Sequence, residues 1–112
     1  MPRDFEPCVY IVASRRNGTL YIGVTSHLLQ CIAQHRDGRL GGFTQMHGVK
    51  TLVWFEDNGC IEAAIQHEKR LKKWNRAWKL RLIEETNPYW RDLAEDYGFD
   101  PLPLTGFPPA RE

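Results

Sequence analysis

Two short apolar segments joined by an Asn-Gly pair lie near the start of the chain, and they restrict its fold more than any other feature. Residues 7–13 and 19–24 are rich in β-branched and aromatic side chains, which favour strands. Asn17 and Gly18 tolerate positive φ and favour a tight two-residue turn between the strands. The sequence therefore predicts an antiparallel hairpin.

The position of the turn predicts which residues of the hairpin lie opposite each other. With Asn17 and Gly18 at its centre, opposed residue numbers sum to 35, so Tyr10 faces Thr25. Side chains alternate between the two faces of a strand. Tyr10 and Tyr21 are therefore expected to share one face of the sheet.

Helical and strand-like segments follow the hairpin and indicate an α+β fold class. Residues 51–55 predict a third strand. The predicted helices span residues 27–37, 60–74, 76–86 and, as a short fourth helix, 89–97. The buried stripe expected on the first helix consists of Leu28, Cys31, Ile32 and His35. The apolar positions of the second helix are Ile61, Ala64, Ile65 and Leu71.

A chain of 112 residues suffices for one small domain. We expect an N-terminal arm over residues 1–6, a folded domain over 7–97 and a Pro-rich tail over 98–112. The sequence has neither a run of about eighteen apolar residues nor a basic-then-apolar leader, which favours a cytoplasmic protein without a membrane span. Reduced thiols are expected at the three cysteines, whose spacing fits neither a disulfide framework nor a zinc ribbon: Cys8, Cys31 and Cys60.

The formal net charge of +1 conceals an uneven distribution of charge along the sequence. Residues 69–81 contain seven of the fifteen basic side chains and no acidic one, whereas residues 82–112 contain seven of the fourteen acidic side chains. A basic segment of this kind either attracts a polyanion or forms a solvated helix face.

Ionisable residues interrupt the apolar stripes of the first two predicted helices. His35 extends the first stripe, and Glu68 lies seven residues after Ile61 on the second. Because an unpaired buried carboxylate is costly, Glu68 is expected to pair with a neighbour such as Lys72, to lie exposed at the edge of the stripe or to bind a cation. His35 is either a hydrogen-bonded histidine at the edge of the core or part of a site.

Two other kinds of site find little support in the sequence. His27, Cys31 and His35 follow one another at intervals of four, but the ends of such a trio lie about 12 Å apart and rarely close a tetrahedral zinc site. The sequence contains no phosphate loop or dinucleotide-binding glycine pattern, so no dinucleotide cofactor is expected.

The segments Val-Tyr-Ile at 9–11 and Tyr-Ile-Gly at 21–23 resemble the paired motif of the GIY-YIG nuclease superfamily. Later segments resemble its small single-domain bacterial branch, described as YhbQ-like or excision-repair-nuclease-like; they span residues 23–25, 34–36, 42–44, 68–74 and 87–88. The resemblance covers residues 7 to about 93. It implies a three-stranded antiparallel sheet flanked by helices.

The resemblance also implies an activity, namely hydrolysis of DNA phosphodiesters in repair or recombination, assisted by a single Mg²⁺ or Mn²⁺ ion. Whether the DNA is single-stranded, branched or duplex stays open. Glu68 matches the metal ligand, and Tyr10 and Tyr21 match two active-site tyrosines, one for the attacking water and one for the phosphate. His35 matches a residue that contacts tyrosine and phosphate, and Asn87 matches a late asparagine near the site.

One position departs from the pattern of the superfamily. Cys31 stands where the family carries an arginine that clamps the scissile phosphate, and a thiol offers no charged bidentate donor. Either the chain is an inactive nucleic-acid-binding module with the same fold, or another cation substitutes. The candidate substitutes are Arg36, Arg39 and His27.

The resemblance and the basic segment together indicate which residues would contact nucleic acid. The expected contacts are Arg36, Arg39, Lys69, Lys72, Lys73 and Arg76. A third hypothesis is an interaction domain that docks a protein on a tryptophan-rich side formed by Trp74, Trp78 and Trp90.

Overall fold

Three antiparallel strands form the sheet of the structure, a computed structural model that describes residues 7–37 and 48–99. The strands are β1 (Cys8–Ala13), β2 (Leu20–Thr25) and β3 (Thr51–Asp57), in the order β2-β1-β3. Every residue of β1 is buried, because this central strand is covered on both faces. The predicted α+β class with a three-stranded antiparallel sheet is confirmed.

Helices cover both faces of the sheet. They are α1 (Leu28–Asp37), α2 (Ile61–Lys73), α3 (Arg76–Thr86) and a 3-10 helix (Leu93–Tyr97). One hydrophobic cluster joins the sheet to α1 and the 3-10 helix, and the other joins it to α2 and α3. The three long helices begin and end within one residue of the predicted bounds.

Alternation along β1 decides which side chains enter which cluster. Tyr10 and its neighbours two residues away face α1, whereas Val9 and Ile11 face α2 and α3. The first helix therefore meets the tyrosine face of the sheet, as its stripe requires. Leu28, Ile32 and His35 on that stripe are buried.

The predicted hairpin register is wrong by two residues, and the loop explains why. The Gly18 amide donates to the Arg15 carbonyl at 2.9 Å, and Asn17 is the residue of this loop with a positive φ, at 56°. The loop therefore spans residues 15–18 instead of the predicted two-residue turn, and opposed residue numbers sum to 33.

The shift in register leaves every side chain on its predicted face. Tyr10 lies opposite Gly23 instead of Thr25. Because side chains alternate with a period of two, a shift of two residues does not exchange the faces. Tyr10 and Tyr21 do share the face that α1 covers, and their ring centroids are 6.4 Å apart.

The predicted apolar stripe of α2 is wrong at two positions. Ile61 and Ile65 are 37% and 36% exposed, whereas Ala64 and Leu71 are buried. The helix is rotated so that the small Ala64 side chain contacts the sheet, which lets the helix approach closely. Glu68, one turn from both buried residues, lies on this inner face.

The predicted fourth helix over residues 89–97 is present only in its second half, as the 3-10 helix. Trp90 has a φ of 57°, which a right-handed helix does not accept. Asp92 then starts the 3-10 helix, since its side chain accepts a hydrogen bond from the Ala94 amide at 3.1 Å.

Several predictions concern residues that the structure does not describe. The N-terminal arm, residues 38–47 and all of the tail after residue 99 lie outside the described ranges. Within residues 7–37 and 48–99, no helix combines the length and apolar character needed to cross a membrane.

Gly23 is required by the close approach of Tyr10 across the hairpin. A Cβ atom at residue 23 would lie 2.5 Å from Oη of Tyr10 and 2.7 Å from its Cζ. Real Cβ atoms do not approach other atoms so closely. The hydroxyl end of the Tyr10 ring therefore packs against Gly23, and a larger residue would displace it.

We expect Gly23→Ala to destabilise the fold by about 1–3 kcal/mol, the usual cost of forcing extra volume into a packed site. Urea unfolding measures this cost. Because the nearest atom is the Tyr10 hydroxyl, the same substitution is expected to cost less in a Tyr10→Phe background. Strictly additive costs in the double variant would contradict the proposed clash.

Candidate active site

A buried hydrogen-bonded cluster joins the central strand to α1. Oη of Tyr10 lies 3.0 Å from Nε2 of His35 and 3.2 Å from Sγ of Cys31. Residues 31 and 35 are one helical turn apart, so α1 presents both side chains to the same phenol. Tyr10 and His35 are only 3% and 2% exposed.

Tyr21 completes an aromatic triangle with the two buried rings. Its ring centroid lies 5.7 Å from that of His35, and the Tyr10 and His35 centroids are 5.5 Å apart. Unlike Tyr10, Tyr21 is only half-buried. Of the two phenols, Tyr21 is thus the one that a ligand in solvent can reach.

The cluster is electrically neutral at physiological pH. Burial raises the pKa of Tyr10 far above its usual value, and the nearby Cys31, Tyr21 and Glu68 act in the same direction. Burial also raises the pKa of the Cys31 thiol, against the opposing effect of hydrogen bonds from Tyr10 and Thr25. Tyr10 is therefore a phenol and Cys31 a thiol.

His35 is neutral for a related reason. Burial lowers the pKa of its imidazole, because the protein interior disfavours the charged form. Nδ1 is buried and has no hydrogen-bond partner among the described residues. The charged ring carries a proton on both nitrogens, and a proton on Nδ1 would have no acceptor among the described residues, so the neutral ring is favoured.

Glu68 presents a carboxylate on the inner face of α2. Its side chain is 17% exposed, and Oε2 lies 2.8 Å from Nζ of Lys72, the partner expected from the helical spacing. The charge of Glu68 is the smallest of the effects that raise the pKa of Tyr10.

The donor set fits a weakly ligated Mg²⁺ or Mn²⁺ ion. Among the described residues, no three His, Cys, Asp or Glu side chains are arranged to hold a metal ion together. Mg²⁺ commonly keeps several waters and binds one or two carboxylates together with substrate phosphate. Glu68, whose side chain is partly exposed, is the residue that would hold such an ion.

In the described part of the chain, the Asn87 side chain hydrogen-bonds to the backbone of its neighbours. Its Nδ2 donates to the carbonyl oxygens of Val53 and Arg91 at 3.1 and 2.9 Å, and its Oδ1 accepts from the Arg91 amide at 3.0 Å. These bonds fix the end of α3 to β3. None of them reaches the tyrosine cluster.

The predicted nucleic-acid contacts fall into separate groups. Arg36 is held in the interior by Asp92, with 2.7 Å between Nη2 and Oδ2 and side-chain exposures of 12% and 7%. Arg39 lies outside the described residues. The remaining predicted contacts are exposed along α2 and the start of α3: Lys69, Lys72, Lys73 and Arg76.

The predicted tryptophan-rich surface is reduced to one strongly exposed ring. Trp78 is 52% exposed and packs edge to face against the half-buried Trp74, with centroids 5.8 Å apart. Trp90 is 6% exposed, and its indole N–H donates to Glu84 at 2.9 Å.

Thr25 is a contact that sequence reasoning missed. Its hydroxyl accepts from the His27 amide at 2.9 Å and also bonds the Cys31 thiol, which places it at the junction of β2 and α1. The alternation that predicts a shared face for the two tyrosines also puts residues 21, 23 and 25 on the face of the cluster, but it does not indicate a contact with Cys31.

Stability is expected to fall as the pH is lowered through the ordinary pKa of histidine, about 6.5. The lowered pKa of His35 in the folded state means that the unfolded chain binds more protons in this range. The stability is therefore fully present above this value and is lost below it. Urea unfolding of the parent and of His35→Gln at a series of pH values measures the contribution.

We expect His35→Gln to show a flatter profile than the parent between neutral and mildly acidic pH. His27→Gln, at an exposed ring before α1, is the matched control and should follow the parent. Equal slopes for the parent and His35→Gln would show that His35 does not contribute to the pH dependence.

Comparison with known proteins shows matches over the part of the chain that contains these residues. The family described as the GIY-YIG catalytic domain matches residues 6–81. A UPF0213 protein of Staphylococcus haemolyticus is 34% identical over 77 residues, which are 69% of this chain and 93% of the relative. A UPF0213 protein of Aeromonas salmonicida is 30% identical over 89 residues, which are 80% of this chain and 64% of the relative.

A second Aeromonas relative, the UPF0213 protein of Aeromonas hydrophila, is 31% identical over 77 residues, which are 69% of this chain and 56% of the relative. The chain thus spans less than two thirds of the length of both Aeromonas relatives. No solved structure matches the chain. The family match covers the strands that bear both tyrosines, the helix that bears His35 and the helix that bears Glu68. The chain therefore belongs to the GIY-YIG family.

Proposed function

We propose that the chain is a metal-dependent DNA endonuclease of the GIY-YIG type that acts in repair or recombination. Membership of the family supports a nuclease-type function. The observation that carries the proposal is the meeting of Tyr10, Tyr21 and His35 on one face of the sheet. A neutral cluster does not repel an anionic phosphodiester, and the Glu68 carboxylate is the type of ligand that a divalent ion takes.

The two tyrosines have different roles in this proposal. Tyr21, half-buried and next to solvent, orients the attacking water or assists its deprotonation. Tyr10 is buried with a strongly raised pKa, so it acts as a neutral hydrogen-bonding group that holds His35 in place. A bound divalent ion at Glu68 would supply charge stabilisation to a phosphate oxygen.

The transition state also requires positive charge from the protein. Cys31, in the position of the family's arginine, is an uncharged thiol that contacts Tyr10. Arg36 is engaged with Asp92 in the interior, which argues against it as the substitute. Lys72, half-exposed and paired with Glu68, is the better candidate for the missing cation.

Substitution of the carboxylate tests the proposed chemistry. We expect Glu68→Gln to reduce Mg²⁺- or Mn²⁺-dependent nicking of single-stranded or branched DNA by about 100-fold or more, the scale of losing one group that stabilises transition-state charge. Glu62→Gln removes an exposed carboxylate from the first turn of the same helix and should leave nicking unchanged. Highly pure parent protein without metal-dependent cleavage on any such substrate would refute catalysis.

A second candidate function is favoured by the uncharged thiol at residue 31, namely a nucleic-acid-binding module that has lost the chemistry. Cys31→Arg separates the two functions. If only the clamp is missing, we expect this substitution to raise cleavage by about 100- to 1,000-fold with unchanged DNA affinity.

Cleavage and affinity are measured on the same labelled oligonucleotides, and thermal unfolding shows whether the larger side chain is accepted. Cys31→Lys is a useful companion, because it adds charge without the bidentate geometry of arginine. Parent activity that neither substitution increases would show that another cation already serves the site.

A further inference from the structure

An open groove of about 520 Å³ lies between the β1–β2 loop and the start of α3. It is separate from the tyrosine cluster, and its lining is mainly polar. The charged side chains that line it in the described part of the chain are all basic: Arg15, Arg76 and Lys79. They come from two elements that are about sixty residues apart in the sequence.

Arg76 gives this groove a fixed shape. Its Nη2 donates to the carbonyl oxygens of Asn17 and Gly18 at 2.8 and 2.6 Å, so the guanidinium is tied to the hairpin loop. Both bonds use the same nitrogen. The planar guanidinium has other N–H groups that can donate to an anion, and arginine is well suited to bind phosphate in this way.

The surroundings of the groove extend its positive charge. Arg16 is exposed in the same hairpin loop, and Lys72 and Lys73 are exposed at the end of α2. Nζ of Lys79 lies 3.5 Å from the Lys72 carbonyl, which connects the groove to the helix that bears Glu68. A polyanion bound on this surface would therefore contact several basic side chains.

We propose that this groove binds the phosphodiester backbone of a nucleic-acid strand beside the reacting phosphate. The inference rests on the proposed nucleic-acid function and adds to it a place where the strand is held. Leu20 lines the groove and Tyr21 belongs to the aromatic triangle. These adjacent residues of the edge strand β2 point to opposite faces, so a strand would pass around this edge between the groove and the cluster.

The lining favours backbone contact over recognition of bases. Among the described residues that line the groove, Leu20 is the one apolar side chain and none has an aromatic ring for a base to stack on. Contacts from arginine and lysine to phosphate fix position without reading sequence. Binding through this groove is therefore expected to be independent of sequence and strongly dependent on salt.

The test measures binding of a fluorescein-labelled oligonucleotide, single-stranded and as a duplex of the same sequence, at several salt concentrations in EDTA. The variants are Arg15→Ala and the double variant Arg15→Ala with Lys79→Ala, which spare Arg76 and its bonds to the loop. Arg91→Ala is the matched control, since it removes an arginine from an exposed ion pair with Asp96 beyond the groove.

If the groove binds the strand, each lost contact lowers the slope of log Kd against log salt by about 0.7–0.9. The double variant is then expected to lose about twice this amount, with about tenfold or weaker affinity at low salt, for several unrelated sequences. Thermal unfolding of each variant confirms that the fold is intact, and Arg15→Glu provides a stronger perturbation at the same exposed position.

Slopes of the groove variants equal to that of Arg91→Ala would overturn the proposal, as would absence of nucleic-acid binding by the parent at low salt. Inorganic phosphate that competes as well as the oligonucleotide would show a free-anion site instead of a strand site, and would also overturn it. Cleavage assays with Mg²⁺ separate this inference from the proposed function. If the parent protein binds DNA through the groove but does not cut it, the inference stands and the proposed nuclease function fails. If the parent cuts DNA and the groove variants bind it as tightly as the parent does, the inference is wrong and the proposed function stands.

Discussion

The contact of Tyr10 with α1 is the interaction on which the candidate site depends. A single phenol bridges a central strand and a helix, because it meets His35 and Cys31 within hydrogen-bond distance. The ring reaches this position only because Gly23 on the neighbouring strand leaves room beneath it. Strand pairing, helix docking and the geometry of the site are therefore parts of one constraint, and a change in any of them alters the other two.

The same burial that organises the cluster limits its chemistry. A tyrosine with a strongly raised pKa and a histidine with a lowered one are both neutral, so neither supplies charge to a substrate. In the proposed function, charge would come instead from Glu68 and Lys72, which form an ion pair on a single helix. The proposal thus divides the work between an uncharged interior that sets orientation and charged side chains of α2.

The parts of this arrangement that local patterns determine were predictable. The bounds of α3 agree with the predicted residues 76–86, and the shared face of the two tyrosines follows from strand alternation. The hairpin register could not be predicted in this way, because the hydrogen bond from the Gly18 amide to a loop carbonyl sets a longer turn than the Asn-Gly pair suggests. The rotation of α2 depends on how closely Ala64 meets the sheet, and the ion pair of Arg36 with Asp92 joins residues 56 positions apart. Such contacts have no local signature.

The ion pair of Arg36 with Asp92 also bears on the conformational entropy that is lost on folding. Asp92 binds Arg36 near the end of α1 and also accepts from the Leu52 amide at 3.3 Å, at the start of β3. The Asp92 side chain therefore contacts α1, the start of β3 and the 3-10 helix at once. Its conformational entropy is lost once on folding, whereas three elements gain a contact from it.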